Sequence, residues 1–456
     1  MDEKHNDSTF SERRASRPYS IIVVGAGIGG LAIGLCMRKT GHDVRILERR
    51  HEITEVGAGI QIPPNASRIL RRFGVLGEVM KYATVLERNS LRRWKDDEEL
   101  GSVPLVPDIE ENFGAPLAVI HRADLQRILL DAAIDCGCKI LEDHEVVDID
   151  KKFLPLTPSS VRRLLVRSRG VKTWMSADVI LAADGMNSIV RRKMAIASGH
   201  DDQLVPAGEL AYRFLLPREA IEHDEKAMAL LSKNHGMRYM GPGGHIMAYP
   251  LRNNTLYNVV LVRKAESEQL QKITWTTRAK KEDIIKYYRG WCPIIHALIS
   301  HVPGSGALET PMNNMPPLPT WVKGHIALAG DACHYMLPYV AQGAANALED
   351  AGTLAMAFTC TDRIELALEL YQFIRKHRSE WIQASATSNG YTLHLPDGEE
   401  QRRRDDSIRA ANIGSGTNPD KWNDKKTREF MWHVDVMAET VNEFESLARE
   451  AGLKKT

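Results

Sequence analysis

The segment Gly25-Ala26-Gly27-Ile28-Gly29-Gly30 restricts this chain more than any other feature. It follows a short, fully apolar run, Ile21-Ile22-Val23-Val24, and precedes a stretch from Leu31 to Thr40 that reads as a helix ended by Gly41. Asp43-Val44-Arg45-Ile46-Leu47-Glu48 then reads as a second strand. A strand, glycine turn, helix and strand within ~30 residues open a doubly wound α/β sheet. The pattern Gly25-x-Gly27-x-x-Gly30 permits a tight turn and close backbone approach to a pyrophosphate. The helix start offers that anion free N–H groups and partial positive charge. Glu48, 18 residues after the last glycine, is placed to accept ribose hydroxyls, and an acid there disfavours a 2′-phosphate.

Further on, the period of Leu125, Ile128, Leu129, Ala132 and Ala133 predicts a helix over residues 123–136, and residues 178–183 read as another buried strand. From Gly208 to Arg263 the pattern changes to alternation. Residues 245–251 and 256–263 flank Arg252-Asn253-Asn254-Thr255 as a hairpin, so an antiparallel sheet is expected to interrupt the α/β chain. The strand at residues 326–329 returns the chain to its first domain and ends at Gly330-Asp331. A long helix starts near Gly343, and the chain beyond ~363 reads as mostly helical. The expected organisation is a flexible leader over 1–18 and a Rossmann-type nucleotide-binding domain over 19–205 and 303–375. A substrate domain over 206–302 and a helical C-terminal region over 376–456 complete it.

Two later segments choose between NAD and FAD. Asp331 follows an apolar strand and can take a ribityl hydroxyl. The helix start Gln342-Gly343-Ala344-Ala345-Asn346 can face a flavin C2 carbonyl and stabilise the charge of the reduced ring. An NAD enzyme needs neither feature, so FAD is the expected resident.

Composition removes other classes. Lys+Arg number 60 against 59 Asp+Glu, a formal charge of +1, which gives no field to hold nucleic acid. The short basic runs at 162–163, 191–193 and 402–404 read as solvated faces. Six cysteines are too few for a disulfide framework, and Cys136-Gly137-Cys138 has no second pair to complete a zinc set, so no metal is expected. No run approaches the ~18 apolar residues of a membrane span. A soluble, cytoplasmic protein is the expectation, as monomer or homodimer.

With these segments in place, the chain resembles the group A flavoprotein monooxygenases, the FAD-dependent aromatic hydroxylases, and most of all their salicylate-hydroxylase-like branch. The resemblance rests on residues 56–65 (VGAGIQIPPN), 121–125 (HRADL), 183–188 (ADGMNS), 330–334 (GDACH), 337–345 (LPYVAQGAA) and the tail loop 394–398 (HLPDG), in order over about residues 20–430. It implies that Gly25, Gly27, Gly30 and Glu48 hold the AMP half of FAD. The segment from Gly57 to Gln61, Gly59 included, would lie along the flavin, and Arg122 near its pyrophosphate and ribityl part. Asp184 would support the pyrophosphate, Asp331 the ribityl chain, and Gly343 with Ala344 would give N–H groups to the ring. The family's chemistry uses transient NAD(P)H to reduce FAD. O₂ then adds at C4a, and the hydroperoxide delivers oxygen to an electron-rich ring.

The substrate is expected beneath the inserted sheet, on Ala211-Tyr212-Arg213 and His245-Ile246-Met247-Ala248-Tyr249-Pro250. Related fungal enzymes acting on phenols use an Arg and a Tyr on strands like these, which implies Arg213 and Tyr249 as catalytic residues; both also fit a solvent-facing sheet position. His245 reads as a hydrogen-bonded strand residue. Where the family usually has Pro after the His of Gly-Asp-x-x-His, this chain has Tyr335. Ring hydroxylation, decarboxylative hydroxylation, dearomatisation and indole epoxidation therefore stay open for a phenolic or heteroaromatic biosynthetic intermediate. The rival is a flavoprotein oxidase or dehydrogenase on the same fold. A halogenase lacks its Trp-x-Trp-x-Ile-Pro segment here, and a non-catalytic nucleotide-sensing protein completes the alternatives.

Overall fold

The computed structural model describes residues 8–53, 58–150, 162–272, 277–450 and 452. Ser20–Val24 forms β1, Ile28–Lys39 forms α1 and Asp43–Leu47 forms β2, which lies parallel to β1. The helix starts at Ile28 rather than Leu31 because Gly27, with extended backbone, already serves as its N-cap. Val179–Ala182 forms β3, parallel to β1 on its other side. The sheet has six strands, in the order Val322–Lys323, Ile326–Leu328, β3, β1, β2, Lys139–Leu141. Ile21, Ile22 and Val23 are wholly buried, as a continuous apolar run demands when both faces of a parallel strand are covered.

A second sheet of eight strands carries the other half of the molecule. Its main strands are Val205–Pro217 (β4), His235–Gly241 (β5), Gly244–Leu251 (β6), Leu256–Lys264 (β7) and Ala307–Asn314 (β8). The order is Arg278–Ala279, β8, β4, β7, β6, β5, Arg88–Arg93, Glu99–Pro104. The β6–β7 hairpin turns at Arg252, Asn253 and Asn254, all with positive φ, where the sequence placed it. Alternation sorts the side chains by face. Leu210, Tyr212, Ile246, Ala248, Val259 and Leu261 enter an apolar cluster with the flanking helices. Arg213, His245, Met247, Tyr249, Val260 and Val262 point to the opposite side and line a cavity.

Several expectations on organisation need correction. The large sheet is not confined to 206–302, since Arg88–Arg93, Glu99–Pro104 and β8 complete it from segments assigned to the nucleotide domain. The helix Ile364–Leu393 passes through residue 376 without a break, so no boundary lies there. The described part of the leader is docked: Phe10 is buried under the Arg72 guanidinium, and Arg13 donates to Thr359 Oγ1 at 2.9 Å. Nor are all basic runs solvated faces. Arg191 is buried and pairs with Asp202, and Arg404 is buried against Asp405.

Gly343–Cys360 (α2) and Ile364–Leu393 (α3) pack through a buried ionic network. Asp350 accepts from the Gly330 N–H at 2.8 Å, from His334 Nε2 at 2.6 Å and from Arg375 Nε at 3.0 Å. Glu349 accepts from Arg375, from Arg378 Nη2 at 2.8 Å and from Asn65 at 2.7 Å. Burial alone would raise both carboxyls. His334 with Arg375 holds Asp350 below its usual range, and Arg375 with Arg378 does the same for Glu349. A carboxylate with a depressed folded pKa stabilises the fold above its unfolded pKa and loses that contribution as pH falls through the folded value. Arg375→Leu is therefore expected to cost about 3–5 kcal/mol at neutral pH, shrinking below ~pH 4 as the carboxylates protonate. Denaturant titrations at several pH values test this, and a neutral-pH loss under about 1 kcal/mol would contradict it.

Candidate active site

A cavity of about 860 Å³ runs from the first crossover to the inner face of the large sheet. Gly25, Gly27 and Glu48 line one end, Arg122, Asp184, Asp331, Gly343 and Ala344 the middle with Gly59 and Gln61, and Arg213 with Tyr249 the other end. Every expected site residue is on its wall except Gly30. That glycine acts indirectly, because a Cβ there would overlap the Gly25 carbonyl and force the helix off the turn. Gly57, at the start of the expected flavin segment, lies outside the described residues.

At the first end, Gly25 has φ +96°, a conformation that L side chains disfavour. A Cβ on Gly27 would meet nothing within 4 Å, so backbone faces open cavity there. Glu48 Oε2 accepts from the Ala26 N–H at 2.9 Å and Oε1 from the Arg50 N–H at 2.9 Å, which fixes the carboxylate beside the turn. Asp184 Oδ2 accepts from the Ile189 N–H at 3.0 Å, while its buried Oδ1 has no partner among the described residues. Burial pushes this carboxyl up. In the middle, Asp331 leaves a turn whose Gly330 N–H is held by Asp350. Gly343 and Ala344 open a helix of 18 residues, whose first N–H groups have no intrahelical acceptor. These features fit a dinucleotide with a ribityl link: backbone for a pyrophosphate, carboxylates for hydroxyls, and a helix start for a polar ring edge.

Cys333, His334 and Asp350 also lie together, buried. Both Asp350 oxygens already accept from Gly330, His334 and Arg375, so this cluster serves the ionic network.

At the sheet end, the Tyr249 ring lies directly on Gly59, where a Cβ would stand 2.6 Å from it, and the Gly59 N–H donates to Asn258 Oδ1 at 2.7 Å. Burial pushes the Tyr249 phenol up, and Arg213 pulls it down less strongly. Arg213 makes no ion pair with a carboxylate among the described residues; burial lowers its pKa, and Tyr335 and Tyr249 counteract that. Tyr335 is on the cavity wall, its phenol raised to about 12 by burial and by Asp331. His245 is hydrogen-bonded, to His394 at 2.7 Å, and also lines the cavity. Sequence reasoning missed Arg238, a cavity-lining cation bound to both oxygens of Asp420 at 2.8 Å. It also missed Trp422, which donates to Gln61 Oε1 at 3.1 Å. Alternation on β5 could have flagged Arg238 but not its distant partner.

Comparison with known proteins agrees with this geometry. The family profile described as FAD binding domain matches residues 18–382. The FAD-dependent monooxygenase atnJ of Arthrinium sp is 36% identical, across 88% of this chain and 91% of that protein. The 3-hydroxybenzoate 6-hydroxylase 1 of Aquipseudomonas alcaligenes is 32% identical, across 85% and 92%. Among solved structures, CtdE with FAD and a substrate superposes with TM-score 0.78 at 20% identity, covering 95% of this chain and 100% of that one. A salicylate hydroxylase substrate complex gives 0.74 at 23%, covering 96% and 99%. Those two likenesses speak for the fold. Among the described residues no helix is long and apolar enough to cross a membrane. The chain belongs to the FAD-binding-domain family, within its flavin-dependent aromatic monooxygenases.

Proposed function

We propose that this protein uses NAD(P)H and O₂ to insert one oxygen atom into an electron-rich aromatic small molecule, a phenol or an indole-like ring, in the cytoplasm. The observation that carries the reading is the Arg213 guanidinium, with no carboxylate partner among the described residues, at the sheet end of a cavity whose other end suits a dinucleotide. FAD, when bound, supplies the two-electron chemistry that makes oxygen electrophilic. The chain's own residues bind, orient and exclude water. Gly25, Gly27 and Glu48 would hold the adenylate part, with Gly30 acting through packing. Arg122 and Asp184 would attend the pyrophosphate, Asp331 would take a ribityl hydroxyl, and Gly343 and Ala344 would offer N–H groups to the ring. Gly59 and Gln61 would lie along it.

Arg213 favours the ionised form of a phenolic substrate, which is the stronger nucleophile, and desolvation strengthens that attraction. Tyr249 stays protonated and donates a hydrogen bond to the same oxygen. Apolar Met247, Val260 and Val262 supply the flat contact that an aromatic ring needs. Tyr335, in place of a proline, adds a further phenol to a wall that also carries Tyr249 and Tyr339.

Glu48→Ala is expected to yield a folded but colourless protein, and full flavin absorbance in the purified variant would count against the assignment. Arg213→Ala should keep its flavin yet form product at least ~10²-fold more slowly, the usual scale for losing one electrostatic group at a reacting centre. The assay is a screen of candidate phenols and indoles for stimulated NAD(P)H oxidation, with mass spectrometry for the gain of one oxygen. Near-normal turnover by Arg213→Ala would remove this residue from the mechanism.

A further inference from the structure

His245 touches the cavity through a buried chain of polar groups that oxygen insertion itself does not require. Its Nδ1 lies 2.7 Å from His394 Nε2, and His394 Nδ1 lies 2.7 Å from Glu209 Oε1. The other oxygen of Glu209 accepts from the Tyr339 hydroxyl. Tyr339 stands edge-on to both imidazoles, with centroids 5.0 and 5.5 Å away. The side chain of Glu209 keeps 12% of its surface exposed, whereas that of His394 keeps 3%.

We infer that His245, His394 and Glu209 form a proton exit by which a phenolic substrate is ionised in the cavity. The inference rests on the aromatic-monooxygenase reading above. His245 is the catalytic base, and His394 and Glu209 are positioning residues that act through it.

The tautomers follow by elimination. Two donors, His394 and the Tyr339 hydroxyl, converge on Glu209, which suits an ionised carboxylate. His394 Nδ1 therefore carries hydrogen and its Nε2 holds a lone pair. That lone pair requires hydrogen on His245 Nδ1, so His245 Nε2 is left as a base for the cavity. When a substrate O–H gives its proton to Nε2, the Nδ1 proton passes to His394 Nε2. Phenol and two neutral imidazoles become phenolate, neutral His245 and an imidazolium at His394 held by Glu209. No electrons change hands.

The surroundings favour that final distribution of charge. Burial, His394, Arg238 and Arg213 all hold His245 well below its ordinary pKa, so a proton resting there is disfavoured. One imidazole further on, the proton meets a carboxylate. The new phenolate stays beside Arg213, and the two product charges are each paired. Glu209, Ala211 and Arg213 alternate along one face of β4, so a single strand supplies both the proton's destination and the cation for the anion it leaves.

The probe is 4-nitrophenol, whose ionisation is read by difference absorbance on the FAD-loaded protein. In the parent, the bound probe should ionise at lower pH than the free compound. Glu209→Gln and His394→Gln should each raise the apparent pKa of the bound probe by about 1–2 units, the scale for removing one neighbouring charge or its link. Glu209→Asp should restore most of the shift. Flavin content and melting temperature are measured in parallel, because a merely structural role would move those and leave the probe alone. Both Gln variants binding the probe with an apparent pKa within about 0.3 units of the parent would overturn the relay and leave the monooxygenase reading standing. A flavin-loaded parent that binds no phenol at all would overturn the phenol reading, and the relay with it.

Discussion

Two carboxylates side by side on α2, Glu349 and Asp350, are buried with Arg375, Arg378 and His334, and the geometry of the middle of the cavity depends on them. Charges removed from water cost several kcal/mol each unless every lone pair and proton is used. Here most are used, across elements that are distant in sequence, although the buried His334 Nδ1 has no partner among the described residues. Asp350 holds the N–H of Gly330, which fixes the turn from which Asp331 reaches the cavity. Asn65 donates to both Glu349 and Gln342, the residue that caps α2 at Gly343. One network therefore sets both the carboxylate proposed for a ribityl hydroxyl and the helix start proposed for a ring edge. Neither can shift without leaving a buried charge unpaired.

A second set of contacts brings the large sheet against this frame. The close approach of Tyr249 to Gly59, with Asn258 on the Gly59 N–H, presses the inner face of β6 and β7 onto residues 59–62. Arg252, at the tip of that hairpin, grips Asp124 with two hydrogen bonds of 2.8 Å. The C-terminal segment closes the far side through Trp422 on Gln61 and Asp420 on Arg238. Together these pack the sheet end of the cavity, where charges taken out of water interact more strongly.

What the sequence revealed was local or periodic. The first crossover is contiguous, so strand, turn, helix and acid could be read in order, and Gly25, Gly27 and Glu48 came with it. Arg213 and Tyr249 came from the family resemblance by motif position alone, and it is the pairing of the strands that puts both on the cavity face. The rest depends on partners far along the chain. Arg88-Asn89-Ser90-Leu91-Arg92-Arg93 carries almost no apolar signal, yet joins the large sheet by pairing in parallel with β5. His394 sits in a tail loop, and its contact with His245 spans 149 residues, beyond the reach of any periodicity. The leader likewise reads as polar, and only the fold supplies the Arg72 guanidinium that covers Phe10.

Two arginines on the large sheet show how the same residue type is given different work. Arg238 is neutralised by Asp420, itself held by Asn389 and Asn423, so its charge is spent on closing the cavity. Arg213 is given no such counter-ion among the described residues. A site with both cations free would draw a dianion, and one with both paired would hold a neutral ring without activating it. With one of each, the sheet end is balanced by a single negative oxygen. A desolvated guanidinium gains most from an anion it can meet at close range, and the aromatic and apolar neighbours admit a flat molecule carrying that oxygen. Charge balance on this face thus fits the proposed phenol, whose single negative oxygen, once ionised in the cavity, would meet the Arg213 guanidinium.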